Sequence, residues 1–268
     1  MILRMGDRGA KVQDLQRRLN ELGFGPLVED GILGPASASS VRLYQASVQL
    51  PVDGVAGPQT LGRLGAAASG PTARFPAIVR RCEALGHPIH VDGQVSLIGV
   101  RSLSRQAGSF DDWMFLVWAE DGNWSLRRYA ITTDPGIPWL ESGSDRGTAI
   151  LAPGSWPVYR FDLHQGRVGY RTLCQRAGTV KVYRDATGDS TLDMDADTLD
   201  EGWHGINLHH SGGSSTHPAA EDKRVGRASA GCQVFRDKAD WSAAMDICEA
   251  RIPENGIFTY TLIEETES

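Results

Sequence analysis

Cysteine is scarce and scattered in this chain. There are four, Cys82, Cys174, Cys232 and Cys248, with no CxxC pair among them. That spacing suggests neither a disulfide framework nor a zinc ribbon. Long apolar runs are also missing: no stretch reaches the roughly eighteen residues that a membrane span needs. Nor is there a Lys/Arg block. Acidic residues outnumber basic ones 33 to 27, for a formal net charge of -6, which argues against nucleic acid as a partner. The N-terminus, Met1-Ile2-Leu3-Arg4-Met5-Gly6-Asp7, lacks the basic start, apolar stretch and small-residue cleavage site of a secretory signal.

What is present suggests two domains. A chain of 268 residues exceeds one typical domain, and 41% hydrophobic residues suffice for real cores. Within residues 9–24, Val12, Leu15, Leu19 and Leu22 fall at spacings of three, four and three. This is the apolar stripe of an amphipathic helix, with Gly23 as its C-terminal cap. A second helix is expected over 36–48, with Val41, Tyr44 and Val48 inward. A third is expected over 58–65, opened by Pro58, with Leu61 and Leu64 inward. Two segments repeat: Asp30-Gly31-Ile32-Leu33-Gly34-Pro35-Ala36-Ser37 matches Asp53-Gly54-Val55-Ala56-Gly57-Pro58-Gln59-Thr60, twenty-three residues later. Each Asp can accept hydrogen bonds from its turn, each Gly allows positive φ, and each Pro opens a helix. The repeat predicts a small three-helix bundle with two similar corners.

The helix followed by two Asp-Gly turns resembles the peptidoglycan-binding domain family over residues 1–66, with Ser37 where that family often has Thr. The resemblance implies bacterial peptidoglycan as partner and an anchoring role without chemistry. Residues 67–74 are small and breaker-rich and read as a linker.

From residue 75 the texture changes. A helix is expected over 75–86, with Ile78, Val79 and Cys82 on one side. Strands are expected at 95–101, 113–119, 125–132, 156–161, 168–174, 179–184, 204–210 and 257–263, and a helix over 238–251. Glu120-Asp121-Gly122-Asn123 is a hairpin signal. The fold class is therefore α+β: a helical N-terminal module and a mainly-β domain over 75–268 with a few helices.

The stretch Ile206-Asn207-Leu208-His209-His210-Ser211 leads through a polar loop to Ser229-Ala230-Gly231-Cys232. A strand ending in histidine, then a turn of small residues presenting cysteine, is a layout for nucleophilic catalysis. An imidazole can take the thiol proton, and small residues leave backbone N–H groups to face an oxyanion. The other three cysteines read as buried hydrophobes. In a strand, His209 and His210 point to opposite faces, so only one can face Cys232, and His209 is preferred.

Residues 145–237 resemble the L,D-transpeptidase (YkuD-like) family, whose strand ending in Ile/Val-His is followed by Ser-x-Gly-Cys. Thr148–Trp156 echoes an upstream family turn. The resemblance implies a β-sandwich fold, Cys232 as the acylated nucleophile and His209 as general base. It also implies oxyanion donors around Ser229, Gly231 and Cys232, and a backbone carbonyl of His210 or Ser211 orienting the base. Ala230 stands where the family often has a second His, the loop between His209 and Cys232 is longer, and Gln233 is an unexpected residue after the cysteine.

No cofactor or metal is called for, and no protein partner is named by the sequence. The expected role is lytic, that of an endolysin or delivered toxin, reaching the cell wall or periplasm after lysis or by dedicated release. The rivals are a catalytically inactive wall-binding protein and a zinc peptidase using His204, His209 and His217. A glycosidase would need facing carboxylates, for which Glu120, Asp134 and Glu141 offer no telling spacing. The acidic run Asp185–Asp197 lacks the Gly and Glu of a calcium loop and reads as solvated.

Overall fold

The computed structural model describes residues 1–67, 76–90, 92–142, 145–164, 169–211 and 224–265. The proposed linker lies almost wholly outside the described residues, as does His217. The chain forms two compact units. One gathers described residues within 1–91 and 117–128 together with Glu265, and the other holds 92–116 and 129–264.

The first unit carries helices α1 (Ala10–Glu21), α2 (Pro35–Ser47), α3 (Pro58–Ala67) and α4 (Ala77–Ala84). Val12, Leu15 and Leu19 are buried as their spacing predicts, and Phe24 meets Tyr44 edge-on at 5.2 Å. Two buried glutamines organise the repeat. Gln16 Nε2 donates to Asp30 Oδ1 (2.9 Å), Ile32 O (3.0 Å) and Ser37 Oγ (3.1 Å), while its Oε1 accepts the Gly31 N–H (2.8 Å). Gln45 does the same one corner later, with Asp53 Oδ1 (2.7 Å), Val55 O (3.1 Å), Thr60 Oγ1 (3.2 Å) and the Gly54 N–H (2.9 Å). Both glycines are left-handed, at φ +71° and +72°. Ser37 and Thr60 are thus equivalent hydroxyl acceptors, so the Ser-for-Thr departure keeps the clamp. In the same unit Arg128 donates to Ser40 Oγ at 2.7 Å and to Ala36 O at 3.2 Å.

The second unit is mainly β. Its strands are β1 (Ser96–Arg101), β2 (Asp112–Glu120), β3 (Asn123–Thr132), β4 (Thr148–Leu151), β5 (Gly154–Leu163), β6 (Arg171–Gln175), β7 (Val180–Asp185), β8 (Asp200–Gly202), β9 (Leu208–His210), β10 (Gln233–Phe235) and β11 (Phe258–Glu264). The outer parts of β2 and β3 run into the first unit. Eight strands form one sheet in the order β6-β5-β11-β1-β2-β3-β10-β9, and β4-β7-β8 form another. Helix α5 (Ile137–Leu140) follows β3, and α6 (Lys238–Glu249) links β10 to β11. The architecture is α+β.

Elements of three or four residues escaped the sequence reading because they are too short to show a period. These are α5, β4, β8, β10 and a 3₁₀ turn at Ala196–Thr198. The strand expected over 204–210 is only Leu208–His210, since Gly205 turns the backbone left-handed at φ +70°. A buried polar anchor was also missed. Arg101, fully buried, pairs with Asp134 at 3.0 Å, and Asp112 accepts the Ser102 N–H, the Thr133 N–H and the Thr133 hydroxyl. Asp134 is therefore a core residue, not a cleft carboxylate. In the acidic run, Asp185 is buried rather than solvated. It accepts from Thr187 and from the Asp193 N–H, while Asp189 and Asp195 accept backbone N–H groups two residues on. These carboxylates shape turns.

Candidate active site

Strands β9 and β10 run parallel, with Gln233 opposite Leu208, Val234 opposite His209 and Phe235 opposite His210. The Gln233 N–H donates to Asn207 O at 2.9 Å, extending the ladder by one residue. Cys232 lies two residues before Val234, the register partner of His209. The strand pairing therefore brings the turn that carries Cys232 beside the segment that leads into His209.

The turn before Cys232 is built by its own side chains. Buried Ser229 accepts the Gly231 N–H at 3.1 Å and donates its hydroxyl to Cys232 O at 2.9 Å. Gly231 sits at φ +115°, and a Cβ there would stand 2.2 Å from Ala149 O, so only glycine fits. Gln233, unexpected on sequence grounds, is buried behind the turn. Its Nε2 donates to Gly231 O at 3.4 Å and its Oε1 accepts the Tyr260 hydroxyl at 2.7 Å. That hydroxyl has room because residue 99 is glycine, whose added Cβ would lie 1.8 Å away. One expectation is corrected here. The Gly231 N–H is bound within the turn and is not a spare oxyanion donor. Among the described residues no acceptor takes the Cys232 N–H.

Cys232 is half-buried, while Cys82, Cys174 and Cys248 are buried, as the sequence suggests. Its Sγ lies 3.4 Å from the Asn207 N, which donates to it, and 3.5 Å from Gly205 O. Burial pushes the thiol up to about 11, with the Asn207 N–H pulling the other way. At neutral pH the sulfur rests as a thiol. No direct hydrogen bond joins it to His209 among the described residues.

His209 is 5% exposed, and its Nδ1 lies 3.0 Å from His210 O. A carbonyl only accepts, so Nδ1 holds the proton and Nε2 keeps its lone pair. Burial, then the neighbouring His164 ring, holds the imidazole down to about 3. It is a neutral acceptor across the physiological range. Of the two residues expected to orient this ring, His210 supplies the carbonyl. Ser211 instead ties strand to strand, with N–H to Phe235 O at 2.9 Å and hydroxyl to Arg236 O at 2.6 Å. The His210 ring stacks on Tyr170 at 4.4 Å and meets the edge of Trp241 at 4.8 Å.

Three residues of this cluster carried no sequence signal that was read as functional. His164, just after β5, stacks on His209 with ring centroids 4.4 Å apart and planes 21° from parallel. Asn207 donates through Nδ2 to His164 Nδ1 at 3.3 Å, and its Oδ1 accepts the Gln175 N–H at 3.0 Å. Gln175, at the end of β6, also accepts the Gly205 and Ile206 N–H groups. The one available hint was Asn207 itself, a polar residue between Ile206 and Leu208. The rival zinc set loses His204, whose nitrogens contact Arg184 Nη2 at 2.9 Å and Asp200 O at 3.2 Å. Among the described residues, no three His, Cys, Asp or Glu side chains are grouped to hold a metal.

Residues 8–64 match the family of the peptidoglycan binding domain. Among curated proteins, none matches this chain. Three solved structures are similar to it. An L,D-transpeptidase from Xylanimonas cellulosilytica is 20% identical over 98% of each chain, with a TM-score of 0.40. The SleB N-terminal domain is 35% identical over 26% of this chain and 94% of its own, with a TM-score of 0.25. A Burkholderia AP3 phage endolysin is 38% identical over 34% of each chain, with a TM-score of 0.24. The N-terminal module, residues 8–64, is a peptidoglycan binding domain.

Proposed function

We propose that this protein is a cell-wall enzyme that transfers acyl groups of peptidoglycan peptides through Cys232, with residues 1–66 as anchor and 75–268 as catalytic domain. The observation that carries the reading is the His209 Nδ1 to His210 O bond, which leaves Nε2 as a lone-pair acceptor on a strand paired with the one that follows Cys232. The N-terminal module supplies the substrate class.

In this reading the Cys232 sulfur attacks a peptide amide carbon while His209 Nε2 takes the thiol proton. Because thiol and imidazole are both neutral at rest, the proton moves with the attack rather than before it. The tetrahedral oxyanion faces the Cys232 N–H. Collapse expels the amine, which takes the proton back from His209 and leaves a thioester on Cys232. Water as acceptor gives hydrolysis and a lytic role, and an amine gives an exchanged cross-link.

The test uses purified sacculi, wild-type protein and Cys232→Ala, each with and without chelator, with muropeptides read by mass spectrometry. The reading expects changed muropeptides with wild type, chelator or not, and none with Cys232→Ala. Digestion by Cys232→Ala would refute the nucleophile. Loss with chelator alone would favour a zinc peptidase. Binding without any change from either protein would favour an inactive wall-binding protein.

A further inference from the structure

His164 does more than fill space. It is 7% exposed, and its backbone N–H is fixed on Tyr170 O at 3.0 Å. Its ring lies nearly parallel to that of His209 at 4.4 Å. The orientation of its polar edge follows from its neighbours. Asn207 Oδ1 is committed to the Gln175 N–H, so Asn207 presents Nδ2, a donor, to His164 Nδ1. His164 Nδ1 is therefore an acceptor, and the ring carries its proton on Nε2. The backbone N–H of the same Asn207 donates to the Cys232 sulfur. One residue thus links the nucleophile to the ring that covers the base.

The His210 carbonyl grips one edge of His209. A single hydrogen bond leaves the ring able to tilt about its own axis, and tilting swings Nε2. A flat neighbour on the ring face removes that freedom. The neighbour must also be uncharged, because a cation there would oppose the imidazolium that His209 becomes during proton transfer. The groups facing His164 fit this requirement. They are His209, Tyr170 at 5.7 Å, Asn207 as a fixed donor, and the Arg176 charge; burial first, and then that charge, lower the His164 pKa.

We propose that His164 is a positioning residue for His209: its stacked ring, braced through Asn207, sets the plane of the base and the direction in which Nε2 accepts the proton. The inference rests on the Cys232–His209 reading.

The test is the pre-steady-state burst of p-nitrophenol from p-nitrophenyl acetate, which acylates Cys232 without any wall substrate. His209→Gln sets the benchmark and should slow the burst by about 10²-fold or more. His164→Ala should slow it by about tenfold or more, since a displaced base loses its alignment. His164→Phe keeps the flat ring and should stay within about threefold of wild type. In ¹⁵N spectra of histidine-labelled protein, His209 should hold the Nδ1–H tautomer in wild type and His164→Phe, and show mixed tautomers in His164→Ala. Should His164→Ala fold poorly, His164→Gln serves, as it keeps an acceptor but no ring and must be slower than His164→Phe. The proposal is overturned if His164→Ala keeps the wild-type burst and tautomer, or if His164→Phe is as slow as the ringless variants. If His209→Gln itself bursts like wild type, the Cys232–His209 pair fails and the brace fails with it.

Discussion

The two Asp-Gly corners and the Cys232 site are both held by side-chain hydrogen bonds, but at different ranges in the sequence. Gln16 reaches Gly31 and Ser37, and Gln45 reaches Gly54 and Thr60, all within one small helical module. The Cys232 turn is closed locally by Ser229, but the cluster around it draws on distant segments through His164, Gln175, Asn207 and Tyr260. The difference teaches where each should fail. A corner breaks by losing one glutamine, whereas the site breaks by losing alignment among distant strands while the fold survives.

The largest effect expected from breaking the site side of this comparison is chemical. His209→Gln should lower the turnover of a peptide or ester substrate by about 10²–10⁴-fold with little change in melting temperature. Gly231→Ala comes next, because a non-glycine residue at φ +115° also meets Ala149 O. It should cost about 3 kcal/mol or more in denaturant unfolding and remove the burst. On the corner side, Gln16→Ala and Gln45→Ala should each cost about 2–3 kcal/mol, because each leaves a turn N–H, that of Gly31 or Gly54, without its acceptor. The two costs should be alike, and the p-nitrophenyl acetate burst should be untouched. Unequal costs, or a lost burst, would break the comparison.

A smaller effect separates the regions by pH. The folded-state pKa of His209 lies near 3, below its value of about 6.5 in an unfolded chain. The unfolded state therefore binds the extra proton in between, and stability falls as pH drops from about 6.5 toward 3. His209→Gln should flatten that part of the melting-temperature curve, and the Gln16 and Gln45 variants should not. The smallest expected effect is none. Calcium should leave the melting temperature unchanged, because Asp185, Asp189 and Asp195 already accept backbone N–H groups.

The same contrast of range explains what the sequence revealed. Helical spacing exposed Val12, Leu15 and Leu19, and repeated turn residues exposed both corners, because each pattern closes within a few tens of residues. The role of the glutamines did not show, since an internal Gln in an amphipathic helix looks like any polar residue. Cys232 and His209 stood out by chemical type and by the small residues before the cysteine. Their supports did not, for His164 lies 68 residues before Cys232 and Gln175 lies 57 before it. Only strand pairing brings such segments together. Gln233 looked like a departure until Tyr260 and Gly99 gave it a place.

The central claim is a covalent one, and the masses of the protein's peptides test it most directly. Wild-type protein is mixed briefly with soluble muropeptides, quenched in acid and digested. The account predicts an acyl increment on the peptide that contains Cys232, absent in Cys232→Ala and slow to form in His209→Gln. Turnover of the muropeptides with no increment on that peptide at any mixing time, or an increment on another residue, would contradict it.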